Sequence, residues 1–415
     1  MTQYPFPETK ITRGLTLAFS FLLLYLARDT LVTSSILGFY KAQGCMLLSL
    51  ALIGVCFLWR NRKQLKAIVL DRRVGAMLFC GVIMLLPMAA KRDWQLMYFS
   101  VLICICAAIF FTFFLSCREA AKYYVVILAV LGVFSVTACY VLRLLPDRGM
   151  LPVPVFHNQI GVDFYNFFLS FVSLSFVKNR NFGIFREPGV YQFFLILGLY
   201  LCQYTVQWKK EKTMWILSGI LALTLVTTFA TGGIAELGLM CIVVFFDKKL
   251  YRKKWVWVTL AGLAVALGAL AAYCIDRENA LFWEVYDMLI GKFTYQEESI
   301  GDRVGSVIVN LQAFLGNPLF GDRISQVLYA ITNNTTSSLI VLAIFGLPGF
   351  LLHVAGWAAL VWKKEQRLWV NGMLLLILFM SFNTQNLIAD LYFWLFPIMA
   401  LTERVLPKLP KRKVC

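Results

Sequence analysis

Long apolar runs alternate with short polar connectors along almost the whole chain. A helix that crosses a bilayer needs about 20 mostly apolar residues, with a range of roughly 17–25. Runs of that kind occupy 11–27, 43–59, 74–90, 97–116, 123–145, 190–208, 213–231, 232–247, 255–274, 337–361, 369–386 and 388–403. The pattern predicts an all-α polytopic fold of about twelve spans, forming one membrane domain over residues 1–415. Two polar stretches, 146–189 and 275–336, are too long to be simple connectors, since most connections are only a few residues. Within the first, residues 161–177 are apolar and rich in Phe. Counting them as a span would reverse the side of every later connector, so they read as an interfacial or re-entrant helix buried against protein.

Composition sharpens this picture. The chain is 60% hydrophobic and 15% charged, and a soluble domain of this length would expose far too much apolar surface. Lys and Arg number 39 against 22 acidic residues, which by itself suggests nucleic-acid binding. Their placement argues otherwise. The clusters Arg60–Arg73, Arg118/Lys122, Lys209–Lys212, Lys248–Lys254, Lys363–Arg367 and Arg404–Lys413 fall between apolar runs and all on one side if the spans alternate. Basic connectors mark the cytoplasmic face, so both termini are expected inside and the two long loops outside. Trp59, Trp94, Trp208, Trp255, Trp362 and Trp369 stand at predicted helix ends, where an interfacial belt places them. Leu26-Ala27-Arg28-Asp29 is a poor cleavage site, so the first run reads as a retained anchor. Ten of the eleven cysteines lie in or beside apolar runs, as small buried side chains do.

Candidate chemistry therefore concentrates in the loops. The first holds Arg148, His157, Asp163, Lys178, Arg180, Arg186 and Glu187, with Pro188-Gly189 turning into the next helix. Arg186 reads as a snorkelling anchor or as a fork for phosphate oxygens, and Glu187 as a dipole partner or as a base. In the second, Val304 to Leu315 has the spacing of an amphipathic helix led by Asp302-Arg303 and broken by Gly316-Asn317-Pro318-Leu319-Phe320-Gly321. A cation opening a helix opposes its dipole, so Arg303 calls for an anionic ligand, and Arg323 beyond the break could share it. Glu236 falls inside a span and must face protein or a wet cavity, while His353 and Asp390 read as hydrogen-bonded within the bundle. With two histidines and no cluster of ligand spacing, neither a metal nor another cofactor is expected.

These features resemble the O-antigen polymerase and ligase superfamily, the Wzy-type membrane glycosyltransferases of bacterial surface polysaccharides. The resemblance rests on the span layout, Phe185-Arg186-Glu187-Pro188-Gly189-Val190-Tyr191, Thr227-Thr228-Phe229-Ala230-Thr231-Gly232-Gly233, and Arg303 ahead of Asn317-Pro318-Leu319-Phe320-Gly321. It implies a GT-C-like helical architecture in the bacterial cytoplasmic membrane, acting on polyprenyl-diphosphate-linked oligosaccharides, with membrane lipids and a chain-length regulator protein as partners and no nucleic acid. By the same resemblance Arg186, Arg303, Arg323 and Arg148 bind substrate. Glu187 is the leading catalytic candidate, followed by Asp302 and His157. Ligases of the superfamily carry a His-Asn pair after the second loop. Here Asn333-Asn334-Thr335-Thr336 stands there without histidine, which favours polymerisation over ligation. A lipid-linked oligosaccharide transporter is the third reading. It sits less well with so few ionisable groups in the spans.

Overall fold

In lipid every backbone polar group must be satisfied within the segment, so apolar runs of this length become helices. The computed structural model describes residues 10–36, 38–157, 162–174, 179–254, 297–331 and 334–406, with scattered positions between 256 and 273. The helices are α1 (Lys10–Tyr25), α2 (Phe39–Arg60), the short α3 (Leu65–Val69), α4 (Arg72–Lys91), α5 (Leu96–Phe111), α6 (Cys117–Thr137) and the one-turn α7 (Leu144–Asp147). They continue with α8 (Pro188–Tyr200), α9 (Glu211–Thr227), α10 (Thr231–Asp247), α11 (Glu297–Gly316), α12 (Ile324–Leu328), α13 (Ser337–Val361), α14 (Leu368–Phe382) and α15 (Leu391–Val405). Each expected apolar run contains a helix, except 255–274, which lies largely outside the described residues. Arg72–Lys91, the continuous Cys117–Asp147 segment and Ser337–Val361 are long and apolar enough to cross a membrane.

The core is built around α8 and α15. Every α8 residue from Val190 to Tyr200 is buried, as expected for a helix apolar on all sides. Gly198 lets α6 and α9 approach it: a Cβ there would stand 2.8 Å from a Leu128 methyl and 3.3 Å from one of Leu221. α15 packs against α13 and α5. A capping box opens α6, with the Ser116 hydroxyl accepting from the Glu119 N–H and the Glu119 carboxylate accepting from the Ser116 N–H.

Contacts define two ends of the bundle. At one, the Cys117 N–H donates to Glu403, Tyr200 donates to the Leu360 carbonyl, Arg404 donates to the Trp362 carbonyl and Lys248 lies over the Tyr204 ring. The described basic connectors gather at this basic end. At the opposite end Asn181 bonds Ser135 and Thr227, Arg180 donates to the Thr228 carbonyl, and Ser337 bonds the Gln385 carbonyl.

Two expectations need correction. Residues 162–174, the described part of 161–177, do not form a helix. Val155–His157, Asp163–Asn166 and Phe171–Ser173 are strands β1, β2 and β3 of an antiparallel sheet in the order β1-β2-β3. Of the phenylalanines that suggested a helix, Phe164 and Phe171 are buried on the paired strands β2 and β3, and Phe156 of β1 packs on both rings. Asn166 then caps the Phe168 N–H in the turn between β2 and β3. The fold is mostly helical with this one small sheet, which is compatible with the expected all-α membrane class. Second, α11 begins at Glu297, so Arg303 lies a full turn beyond the helix start and meets no dipole penalty there.

The Asn317–Gly321 turn has a definite docking place. Pro348 has no N–H for the Ile344 carbonyl and Gly346 takes a φ of 64°, so α13 is broken there. The turn repairs the break. Asp322 N–H donates to the Ala343 carbonyl at 2.6 Å, and Leu347 N–H donates to the Pro318 carbonyl at 2.9 Å. Lys91 Nζ donates to the freed Ile344 carbonyl and to that of Asp322, each at 2.6 Å.

Candidate functional site

The chain leaving α1 returns to touch the first long loop. Leu31 N–H donates to the Ile184 carbonyl at 2.8 Å, Arg186 N–H donates to the Asp29 carbonyl at 3.0 Å, and Thr30 forms an isolated bridge with Phe185. Phe185 is buried against Phe194 and Tyr191, which fixes the residue before Arg186. Arg186 Nε then meets Asp29 Oδ1 at 2.9 Å, and its Nη1 meets Glu187 Oε1 at 3.1 Å. Two of five guanidinium N–H donors are committed to these bonds. The Arg186 side chain is 33% exposed.

Burial works against the charge of Arg186, but Asp29 and Glu187 outweigh it and hold its pKa above the ordinary arginine value. Arg180, on the same loop, is shifted downward by burial, with Glu187 opposing that shift. Asp390 caps α15 by accepting the Tyr392 N–H at 2.8 Å, and the charges of Asp29 and Arg28 act on it. Three guanidiniums (Arg28, Arg180, Arg186) and three carboxylates (Asp29, Glu187, Asp390) therefore share one end of the bundle.

Beneath the Pro188-Gly189 turn lies a second polar group. Glu236 of α10 is buried, close to Gln192 of α8 and Ser381 of α14, and the charge of Arg303 reaches it. Gly232 and Gly233 make room for Gln192: a Cβ at Gly233 would stand 2.7 Å from Gln192 Cγ. A Cβ at Gly189 would stand 2.7 Å from Gln385 Nε2. Gln192 Nε2, Glu236 Oε2, Ser381 Oγ, Asp29 Oδ2 and Asp390 Oδ2 are buried without a hydrogen bond among the described residues. Such atoms are costly in an apolar interior and mark a place where polar ligands or water are accommodated.

The other expected residues are dispersed. Arg148 is exposed at the end of α7. His157 pairs with Asp163 across β1 and β2 on an exposed edge. Arg303 is exposed on α11, and the Asp302 side chain lies outside the described residues. Arg323 opens α12 in a separate cleft with Lys91 and Arg92. No contact among the described residues joins Arg148, His157 or Arg323 to Arg186. His353 bonds Ser338 at 3.0 Å inside the bundle, as expected.

Sequence reasoning missed Asp29. The available signal was an Arg-Asp pair directly after the first apolar run, where an uncharged connector would have sufficed. It also missed Gln192, because a lone amide in a span carries no spacing signature.

No protein-family model matches the chain, and no curated protein does. What fold and site define is a largely helical membrane protein with clustered charge at one end of its bundle.

Proposed function

We propose that the chain is a membrane glycosyltransferase that polymerises polyprenyl-diphosphate-linked oligosaccharide repeat units into a surface polysaccharide. The reading places both termini in the cytoplasm and the chemistry at the outer face of the bacterial cytoplasmic membrane. One observation supports it most: a partly open Arg186 guanidinium, braced by Asp29 and Glu187, keeps donors available at an end of the bundle away from the basic connectors. A planar fork of this kind suits diphosphate oxygens.

In the proposed step the acceptor hydroxyl oxygen attacks the anomeric carbon of the donor sugar. A new C–O bond forms, the anomeric C–O bond to the diphosphate breaks, and its electron pair leaves with the polyprenyl diphosphate. Glu187, 47% exposed, accepts the hydroxyl proton. Arg186, joined by Arg303 from α11, stabilises the charge growing on the leaving group without a metal. Asp29 is a positioning residue that holds the Arg186 fork.

Reconstitution of the purified protein with its lipid-linked repeat unit tests this reading. A ladder spaced by one repeat is expected. Glu187→Gln should lower turnover about 10²-fold or more with little change in KM. Asp29→Asn should raise KM, because the fork loses its brace while its charge remains. An unchanged ladder from correctly inserted Arg186→Ala and Arg303→Ala proteins would remove the proposal. Lipid-linked repeat units moved across the bilayer without polymer would favour a transporter.

A further inference from the structure

Folding brings Arg118, Lys248, Lys363 and Arg404, from four separate parts of the chain, to one seam at the basic end. Backbone contacts beside them draw it together: the Cys117 N–H donates to Glu403 at 2.8 Å, and Arg404 donates to the Trp362 carbonyl. Arg118 follows Cys117 and Lys363 follows Trp362 in the chain. Lys248 joins from the end of α10, 5.5 Å from the centre of the Tyr204 ring. Lys363 is fixed by Asn371 of α14, which accepts from its N–H at 3.3 Å and donates to its carbonyl at 3.0 Å. It is partly buried, while the other three are exposed. Among the described residues, no carboxylate is within ion-pair distance of any of the four. Burial pushes the Lys363 ammonium down to about 8, and the charges of Arg118, Lys248 and Arg404 push the same way. The bias of basic connectors to one face explains why each cation is at this end. It does not explain why they converge against their own repulsion.

We infer that this seam binds the phosphate of an anionic phospholipid, whose acyl chains lie along α14. An anion among the four cations offsets their repulsion, and basic pockets between helix ends are where such headgroups are held. The rim selects a lipid over a soluble phosphate or an acidic peptide. Trp362, Leu368 and Trp369 are exposed beside Lys363, Leu368 by 71%. Further along α14 the exposed residues are Gly372, Leu376, Phe379 and Met380, none of them polar. Interfacial tryptophans leading into a wholly apolar strip follow a lipid from headgroup to chain. This lipid is a resident of the fold, not a substrate, so the inference needs neither glycan transfer nor a given orientation.

The test titrates phosphatidylglycerol into phosphatidylcholine nanodiscs holding the full-length protein. Native mass spectrometry after release counts the lipids retained, and the unfolding midpoint follows the same titration. Phosphatidylglycerol should be retained saturably and raise the midpoint. Arg118→Gln/Lys363→Gln should bind it about tenfold or more weakly, because each cation near the surface contributes to headgroup affinity. Lys363→Arg should keep most of the binding. Arg118→Gln/Lys248→Gln repeats the test without touching the connector that Asn371 holds. Equal retention of phosphatidylcholine, or undiminished binding by both doubly substituted proteins, would overturn the site. A midpoint raised as much by inorganic phosphate would assign a soluble anion and overturn the lipid. Displacement of phosphatidylglycerol by hexaglutamate at lower concentration would overturn it in favour of an acidic protein segment.

Discussion

At the scale of single residues, charge inside this protein is held by named partners. Arg73 at the start of α4 is 1% exposed, yet its Nε and Nη2 reach both Asp71 oxygens at 2.9 and 2.7 Å. Its Nη1 donates to the Thr112 carbonyl at 2.8 Å, and its guanidinium lies 3.7 Å from the centre of the Phe113 ring. Burial raises the pKa of the Asp71 carboxyl, just outside the span, but hydrogen bonds and charge from Arg73 outweigh it and hold the value below the usual carboxylate range. The unfolded chain thus binds its proton first as the medium turns acid. The stabilisation is full above the unfolded value near ~3.9 and is lost as pH falls through the lower folded value. Asp71→Asn should lower stability at pH 7 by on the order of 3 kcal/mol, because it strands a buried guanidinium. It should also remove this step from the acid limb of a thermal-unfolding series in detergent. An acid limb identical to that of the parent protein would contradict the assignment. Arg186 differs because its fork is partly open, and this contrast was only half legible. The sequence pointed to Arg186 and Glu187, adjacent in the chain, whereas Asp29 is 157 residues away and enters only through tertiary contact.

At the scale of elements, helix positions were readable because an apolar run in lipid has one way to satisfy its backbone. The sheet was not readable. Its strands are three or four residues long, and Phe and Val supply apolar character equally to a short strand and to a helix. The break after Gly316 was visible, but its function was not, because the break in α13 that it fills comes thirty residues later in the sequence. The pairing makes Gly321 irreplaceable. It has a φ of 67°, and a Cβ would run into the Ala343 carbonyl, part of the backbone. A Cβ at Gly316, by contrast, would meet nothing within 4 Å. Gly321→Ala should therefore lower the unfolding midpoint markedly, by about 1–3 kcal/mol or more in stability. Gly316→Ala should change it by less than about 1 kcal/mol in either direction. Equal midpoints for the two proteins would show that the turn does not lock α13.

At the scale of the whole molecule, the two ends have different chemistry. Basic connectors and interhelical caps occupy one, while the opposite end holds paired carboxylates and guanidiniums, buried amides and the small sheet. The proposed orientation puts the second outside the cell. A His157→Cys protein should react with a membrane-impermeant maleimide on intact cells. A Lys210→Cys protein should react only after permeabilisation, each in a background without exposed native thiols. The reverse pattern would invert the topology and remove the extracellular chemistry.

The strap from Asp29 to Leu31 also sets an order of events during synthesis. Asp29 leaves the ribosome 157 residues before Arg186. At about 5–20 residues per second, that is a wait of roughly 8–30 s. Throughout it the Asp29 carboxylate lacks the Arg186 fork it finally braces, and its neighbour Asp390 arrives later still. The first helix must be kept in register by something other than its final partner. The charged end therefore forms among the last parts of the chain, and a nascent protein stalled before Arg186 carries its first helices and no site.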